Sequence, residues 1–250
     1  MSFVELPTLT WGDPDSAHRA LLVHGLGSDA QTMWRIGELL ASEGWFAVAV
    51  DQRGHGSAPP TERYRIEDYA TDLLHVPHTQ PWSLVVGHSI GGASVVRAAA
   101  QDPAWARQLI LIDPALVTTE QNRAEIRARQ LFNNEHLTVQ TQSAANPHWD
   151  ARDIETSVEA QRAADPVALA KSCDDNPDWD VIDDAIRLTV PTLVIQGDPA
   201  VMARYTDETA SRIESGNPLV THVTITSAGH NVHRDKPVEF CDAVTRWLNR

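Results

Sequence analysis

"VVGHSIGG", residues 85–92, decides how the rest of the chain is read. It ends a run of mostly aliphatic residues, "WSLVV" (82–86), and opens a stretch of small ones, "IGGASVVRAAAQ" (90–101). The first composition suits a strand buried on both faces, the second a helix packed closely on a sheet. Gly87, Ser89 and Gly91 stand at the spacing G-x-S-x-G, where glycines permit a turn too sharp for larger residues. A serine at the apex of such a turn is pushed out at the end of the sheet, near the positive end of the following helix. The plainer alternative makes Ser89 a helix N-cap, a frequent use of serine at a strand-to-helix turn.

Similar apolar runs recur on both sides of this turn: "RALLVHG" (19–25), "WFAVAVD" (45–51), "QLILID" (108–113), "TLVIQGD" (192–198) and "THVTITSAG" (221–229). Helical patterns lie between them. One is "PVEFCDAVTRWLN" (237–249), with Phe240, Val244, Trp247 and Leu248 on one face and Pro237 at a first helical position. The alternation implies an α/β fold, a mostly parallel central sheet of about eight strands with helices on both faces. "FVELPTLTWG" (3–12) is expected to add an edge hairpin. Strand-like runs stop between about 115 and 189, where "TEQNRAEIRARQLFNN", "ARDIETSVEAQRAAD" and "PVALAKSC" read as helices. The expected organisation is therefore one core, 1–114 and 190–250, with a helical cap at 115–189 over the strand ends.

A chain of 250 residues supports one sizeable core. Its formal charge of −14 argues against nucleic acid or an anionic membrane as partner. Cys173 and Cys241 are the only cysteines and form no CxxC, so neither a zinc site nor a disulfide framework is expected. The first fifteen residues lack the basic and apolar regions of a signal peptide, and no apolar run reaches the length of a membrane span. The expectation is a cytoplasmic protein acting on a small molecule, without cofactor or metal.

A serine hydroxyl is a poor nucleophile without a base. "SAGHNVHRDKPVEF" (227–240) offers His230 just after the last expected strand, at the sheet edge that also carries Ser89. His233 is a second candidate, more simply read as a surface or supporting histidine. "LLVHGLGSD" (21–29) ends another strand with a glycine-bearing loop, which can aim the backbone N–H of Leu26 at the same point as that of Ile90. Two such donors suit a developing oxyanion.

With these pieces assembled, the chain resembles an α/β-hydrolase over nearly its whole length. "LLVHGLGSDAQTMW" is similar to the family's oxyanion-loop segment, "VDQRGHGSA" to its Asp-x-Arg-Gly-His-Gly-x-Ser turn, "VVGHSIGGAS" to its nucleophile elbow and "AGHNVHRDKPVEF" to its histidine loop. The resemblance implies Ser89 as nucleophile, His230 as base and the amides of Leu26 and Ile90 as oxyanion donors. Asp51, Arg53 and His55 would brace the turn after their strand.

The chain departs from the family at the acid. Members usually carry it three residues after the glycine that ends the "TLVIQG" strand, and that position is Ala200. Two aspartates remain in reach. Asp113 ends the strand that follows the elbow helix and is the preferred acid; Asp198, next to the glycine, is the second candidate. In the cap, Trp149 and Trp179 sit in Asn-Pro turns, and with Trp34, Leu131 and Phe132 they are candidate walls of a substrate pocket. The reading is a serine hydrolase of a small or medium apolar ester or lactone. Alternatives on the same scaffold are a C–C bond or amide hydrolase, a perhydrolase, or a ligand-binding signalling protein with a slow or incomplete triad.

Overall fold

The computed structural model describes residues 3–250. Seven strands form one sheet: β1 (Thr8–Trp11), β2 (Arg19–Val23), β3 (Phe46–Val50), β4 (Leu84–His88), β5 (Leu109–Ile112), β6 (Thr192–Gln196) and β7 (Val220–Thr224). Their order is β1-β3-β2-β4-β5-β6-β7, parallel except for β1, which pairs antiparallel with β3 at the edge. The seven strands are close to the expected eight. The expected N-terminal hairpin is instead this single strand, because its partner β3 lies beyond β2 in the chain. β7 is the opposite edge; it stops at Thr224, and the predicted continuation to Gly229 is a loop.

Side chains alternate between two apolar layers. Leu21, Val23 and Val85 face one side with Tyr69, Val95 and Ile213; Ala20, Leu22 and Val86 face the other with Ile36, Phe240 and Val244. Helices α1 (Trp34–Ser42), α2 (Ile66–Leu74) and α3 (Ile90–Gln101) follow the first strands in turn. Between β5 and β6 come α4 (Glu120–His136), α5 (Val139–Ala145), α6 (Ala151–Ala163), α7 (Pro166–Asp174) and α8 (Ile182–Ile186); α9 (Asp207–Gly216), α10 (Val232–Asp235) and α11 (Pro237–Leu248) complete the chain. Helix α8 falls inside the span 115–189 yet packs on α3 and α9, because Val181, Ile182, Ala185 and Leu188 join the apolar layer beneath the sheet. The strand order reverses between β2 and β4, and ligands of open α/β sheets bind outside the strand ends at such a reversal. The Leu26 loop and the Ser89 turn flank that point.

The Asp51–Ser57 turn is braced from within. Asp51 accepts the amides of Ala30 and Ser57, each at 2.8 Å. Arg53, buried, donates two bonds to Asp72, at 2.7 and 2.8 Å. His24 is also buried; its Nε2 accepts the Gln52 amide at 3.0 Å, and desolvation together with the His55 ring holds its pKa down to about 3.

This has a consequence in acid. Below pH 6.5 the unfolded chain binds a proton at His24 that the fold excludes, so stability present above 6.5 is lost as pH falls toward 3. At pH 5 this histidine alone is expected to cost about 2 kcal/mol. Urea titrations at pH 7.5 and 5 measure it, and His24→Gln is expected to remove close to one proton from the slope.

Candidate active site

Residue 89 sits at φ 56°, ψ −120°, a conformation that only tight turns impose on a residue with a side chain. Its neighbours enforce it. A Cβ on Gly91 would collide with the carbonyls of Val23 and His24, and one on Gly87 would come within 2.8 Å of the Gly91 carbonyl. The Ser89 amide donates to the Ile112 carbonyl at 3.1 Å. Although Ser89 occupies the N-cap position of α3, its hydroxyl makes no capping bond. It stands 3.0 Å from His230 Nε2 instead.

The opposite nitrogen of that ring, Nδ1, lies 2.6 Å from Asp113 Oδ2. A carboxylate accepts, so Nδ1 carries the proton and the Nε2 lone pair faces the serine. Asp113 is fully buried, and its charge is met by three amides: Arg204 at 2.7 Å to Oδ2, Gly197 and Tyr205 each at 3.3 Å to Oδ1. The register explains the meeting. Ile112 pairs with His88 on one side and Ile195 on the other, so residues 89, 113 and 196 stand level at the end of the sheet, with Gly197 one step beyond. Asp198 lies elsewhere. Its carboxylate accepts from Ala200 at 2.9 Å and Ser227 at 2.8 Å, bonds that hold its pKa below the usual carboxylate range.

His88, the variable residue of the turn, was not singled out in the sequence. It is buried with its Nε2 3.1 Å from the His230 carbonyl. A carbonyl only accepts, which assigns the proton to Nε2, and burial keeps the ring neutral. His233 is buried as well, its ring edge-on to His88 at 5.0 Å, which excludes a surface position. Asp235 ties the helical insertion to this loop, accepting the Trp149 indole at 2.6 Å and the Gly229 amide at 2.7 Å.

A cleft of about 240 Å³ opens over Ser89, and Leu26, Ile90, Trp149 and Trp179 all line it. Among the described residues neither the Leu26 nor the Ile90 amide has a protein acceptor. Helix α4 closes on the Leu26 loop, with Gln130 donating to the Leu26 carbonyl at 3.3 Å. Three expected wall residues are not there. Trp34 is buried beside α6, its indole donating to Asp153 at 2.9 Å. Phe132 is 62% exposed and stacks on His136 outside the cleft, and Leu131 does not reach it either.

The cleft is also not the apolar pocket expected. Amide side chains and three arginines, Arg129, Arg204 and Arg234, dominate its wall. Burial draws the Arg234 guanidinium below the ordinary arginine range; Arg129, exposed along α4, is lowered by partial desolvation at the cleft and by the Arg204 charge. The arginines escaped the sequence reading because "RARQ", "MARY" and "VHRD" look like solvated charge. Only the place of Arg234, four residues after His230, was a hint.

The profile of the Alpha/beta hydrolase family matches residues 20–243. A 2-(acetamidomethylene)succinate hydrolase of Mesorhizobium japonicum is 26% identical over 261 residues, covering 97% of this chain and 92% of its own. An esterase of Mycobacterium tuberculosis is 26% identical over 275 residues, covering 98% and 86%. The crystal structure of an E-2-(acetamidomethylene)succinate hydrolase superposes with a TM-score of 0.83 at 22% identity, over 98% of this chain and 95% of that one. With a seven-stranded sheet of this order and a family match across most of its length, the chain belongs to the alpha/beta hydrolase family.

Proposed function

We propose that this hydrolase cleaves a small carboxylic ester or lactone through an acyl-enzyme. Ser89 Oγ attacks the carbonyl carbon while its proton passes to His230 Nε2. Asp113 holds the ring in the required tautomer and stabilises the imidazolium. The amides of Leu26 and Ile90 receive the oxyanion, each such donor contributing about 2.7–4 kcal/mol in the transition state. Collapse expels the alkoxide, which takes the proton from His230. Water, activated by the same ring, then releases the acid.

The observation that carries this reading is the unbroken line of Ser89, His230 and Asp113, at 3.0 and 2.6 Å, at the floor of a cleft. The relationship to a mycobacterial esterase supports the bond type. Amide hydrolysis is the second reading, favoured by the Mesorhizobium relative, whose name carries an acetamido group.

Fluorophosphonate labelling tests the nucleophile. The expected result is one adduct, located by mass spectrometry on Ser89, and a burst of p-nitrophenol from a short p-nitrophenyl ester. A protein that neither labels nor shows a burst is a binder rather than an enzyme.

A further inference from the structure

The net charge of the chain is −14, yet among the described residues no aspartate or glutamate lines the cleft over Ser89. Three arginines do: Arg129 from α4, Arg204 from the loop after β6, and Arg234 from α10. Elsewhere in the fold, buried Arg53 is matched by Asp72 and half-buried Arg35 by Asp153. Among the described residues none of the three cleft arginines forms an ion pair or donates a side-chain hydrogen bond to protein. Arg234 is the sharpest case. It is 4% exposed, and its Nε is buried without a partner.

The carboxylates nearest Arg234 are already engaged. Asp153 accepts from Trp34 and Arg35, Asp235 from Trp149 and Gly229, and Asp29 from the Thr32 amide. The Arg234 guanidinium instead faces the Trp149 ring, 5.2 Å from its centre. A guanidinium over an aromatic ring can still donate to a planar acceptor through its edge. Arg129 and Arg204 lie near enough to repel each other. A buried guanidinium in no direct ion pair is costly, and like charges facing one space add to that cost. An anion in the cleft removes both costs.

We infer that the cleft selects a substrate bearing a free carboxylate, which Arg129, Arg204 and Arg234 hold while Ser89 attacks a second, esterified or amidated carbonyl of the same molecule. The inference rests on the hydrolase reading and adds the substrate class to it. A carboxylate matches the guanidinium fork through two parallel N–H···O bonds. At about 240 Å³ the space is smaller than the ~300–1,000 Å³ typical of drug-sized ligands, which favours a short dicarboxylic half-ester or half-amide. Asn133 adds a side-chain amide to the same wall, while those of Gln130, Gln142 and Asn146 already donate to Leu26, Ser157 and Gln142.

The test compares mono-p-nitrophenyl glutarate with p-nitrophenyl pentanoate, equal in acyl length and differing in the terminal charge. The wild-type protein is expected to favour the charged ester in kcat/KM by about tenfold or more, an advantage that shrinks in high salt. Arg129→Gln, Arg204→Gln and Arg234→Met are each expected to reduce that ratio about tenfold. The ratio is internal to each variant, so a general loss of folding cancels; Arg129, exposed on α4, is the substitution least able to disturb the fold. Calorimetry on Ser89→Ala gives a reading independent of turnover, with glutarate expected to bind and glutaramide not.

A wild-type ratio at or below one, with both esters hydrolysed, overturns the carboxylate subsite and leaves the hydrolase reading intact. Inorganic phosphate binding as tightly as glutarate also overturns it, in favour of a general anion site. Failure of both esters together with failure of fluorophosphonate labelling sinks the hydrolase reading itself.

Discussion

Asp113→Asn is expected to lower kcat on a p-nitrophenyl ester about 10⁴-fold, the scale set by the same change in a well-studied serine-protease triad. The surroundings of Asp113 explain why so small a change acts so strongly. Its two oxygens accept from three amides and from His230 Nδ1. An asparagine that keeps its oxygen toward Gly197 and Tyr205 turns its NH₂ toward His230 and the Arg204 amide. The imidazole must then accept at Nδ1 and carry its proton on Nε2, which removes the lone pair that faces Ser89. The donor–donor conflict with Arg204 adds a stability cost of about 1–3 kcal/mol.

The backbone itself tolerates the substitution. Asp113 sits at φ 36°, a region where asparagine is as acceptable as aspartate. Asp198→Asn serves as the contrast. Its carboxylate accepts only from Ala200 and Ser227 at the surface, and the variant is expected to stay within about threefold of wild type. Steady-state kinetics on the two variants decides between them, and a 10⁴-fold loss from Asp198→Asn instead would move the acid to that residue.

Much of this arrangement is written in local sequence, and its legibility follows the range of the interactions. The Ser89 turn can be read because its constraints are local: glycines at 87 and 91, an aliphatic run before and small residues after. The strands are legible for the same reason, since burial on both faces leaves a continuous aliphatic signature. The choice between Asp113 and Asp198 is not local. It depends on β5 lying between β4 and β6, and on a register that brings Ile112 beside both His88 and Ile195.

The cleft wall was the least legible part. Arg129, Arg204 and Arg234 come from three separated segments, and each alone resembles a solvated charge. Trp34 and Phe132 misled in the opposite way. An indole or a phenyl ring suits a pocket by composition, but Trp34 is held away from it by Asp153, and Phe132 faces solvent against His136. Residue type records what a side chain can do; only the packing of α4 and α6 decides which way it points.

Ser89→Ala and Ser89→Gly are both expected to lose ester hydrolysis by roughly 10⁶-fold, the scale seen when the nucleophile of a comparable triad is removed. They should differ in stability. A non-glycine residue at φ 56°, ψ −120° bears strain of about 1–3 kcal/mol. Alanine inherits that strain and glycine does not, although glycine loses about 0.5–1 kcal/mol to its freer unfolded chain. The glycine variant is therefore expected to be the more stable by about 1 kcal/mol, some 2–4 °C in Tm for a chain of this length.

The strain persists because the turn is fixed on every side. Ser89 N–H is held by Ile112, its carbonyl accepts from Ala93 and Ala115, and Gly91 lies hard against the β2 backbone. A residue selected for stability alone at position 89 would be glycine. A serine there is explained by its hydroxyl, 3.0 Å from an imidazole that can take its proton. Thermal melts of the two inactive variants measure the difference: an alanine variant as stable as the glycine one removes the strain argument, and hydrolysis above about 1% of wild type in either moves the nucleophile elsewhere.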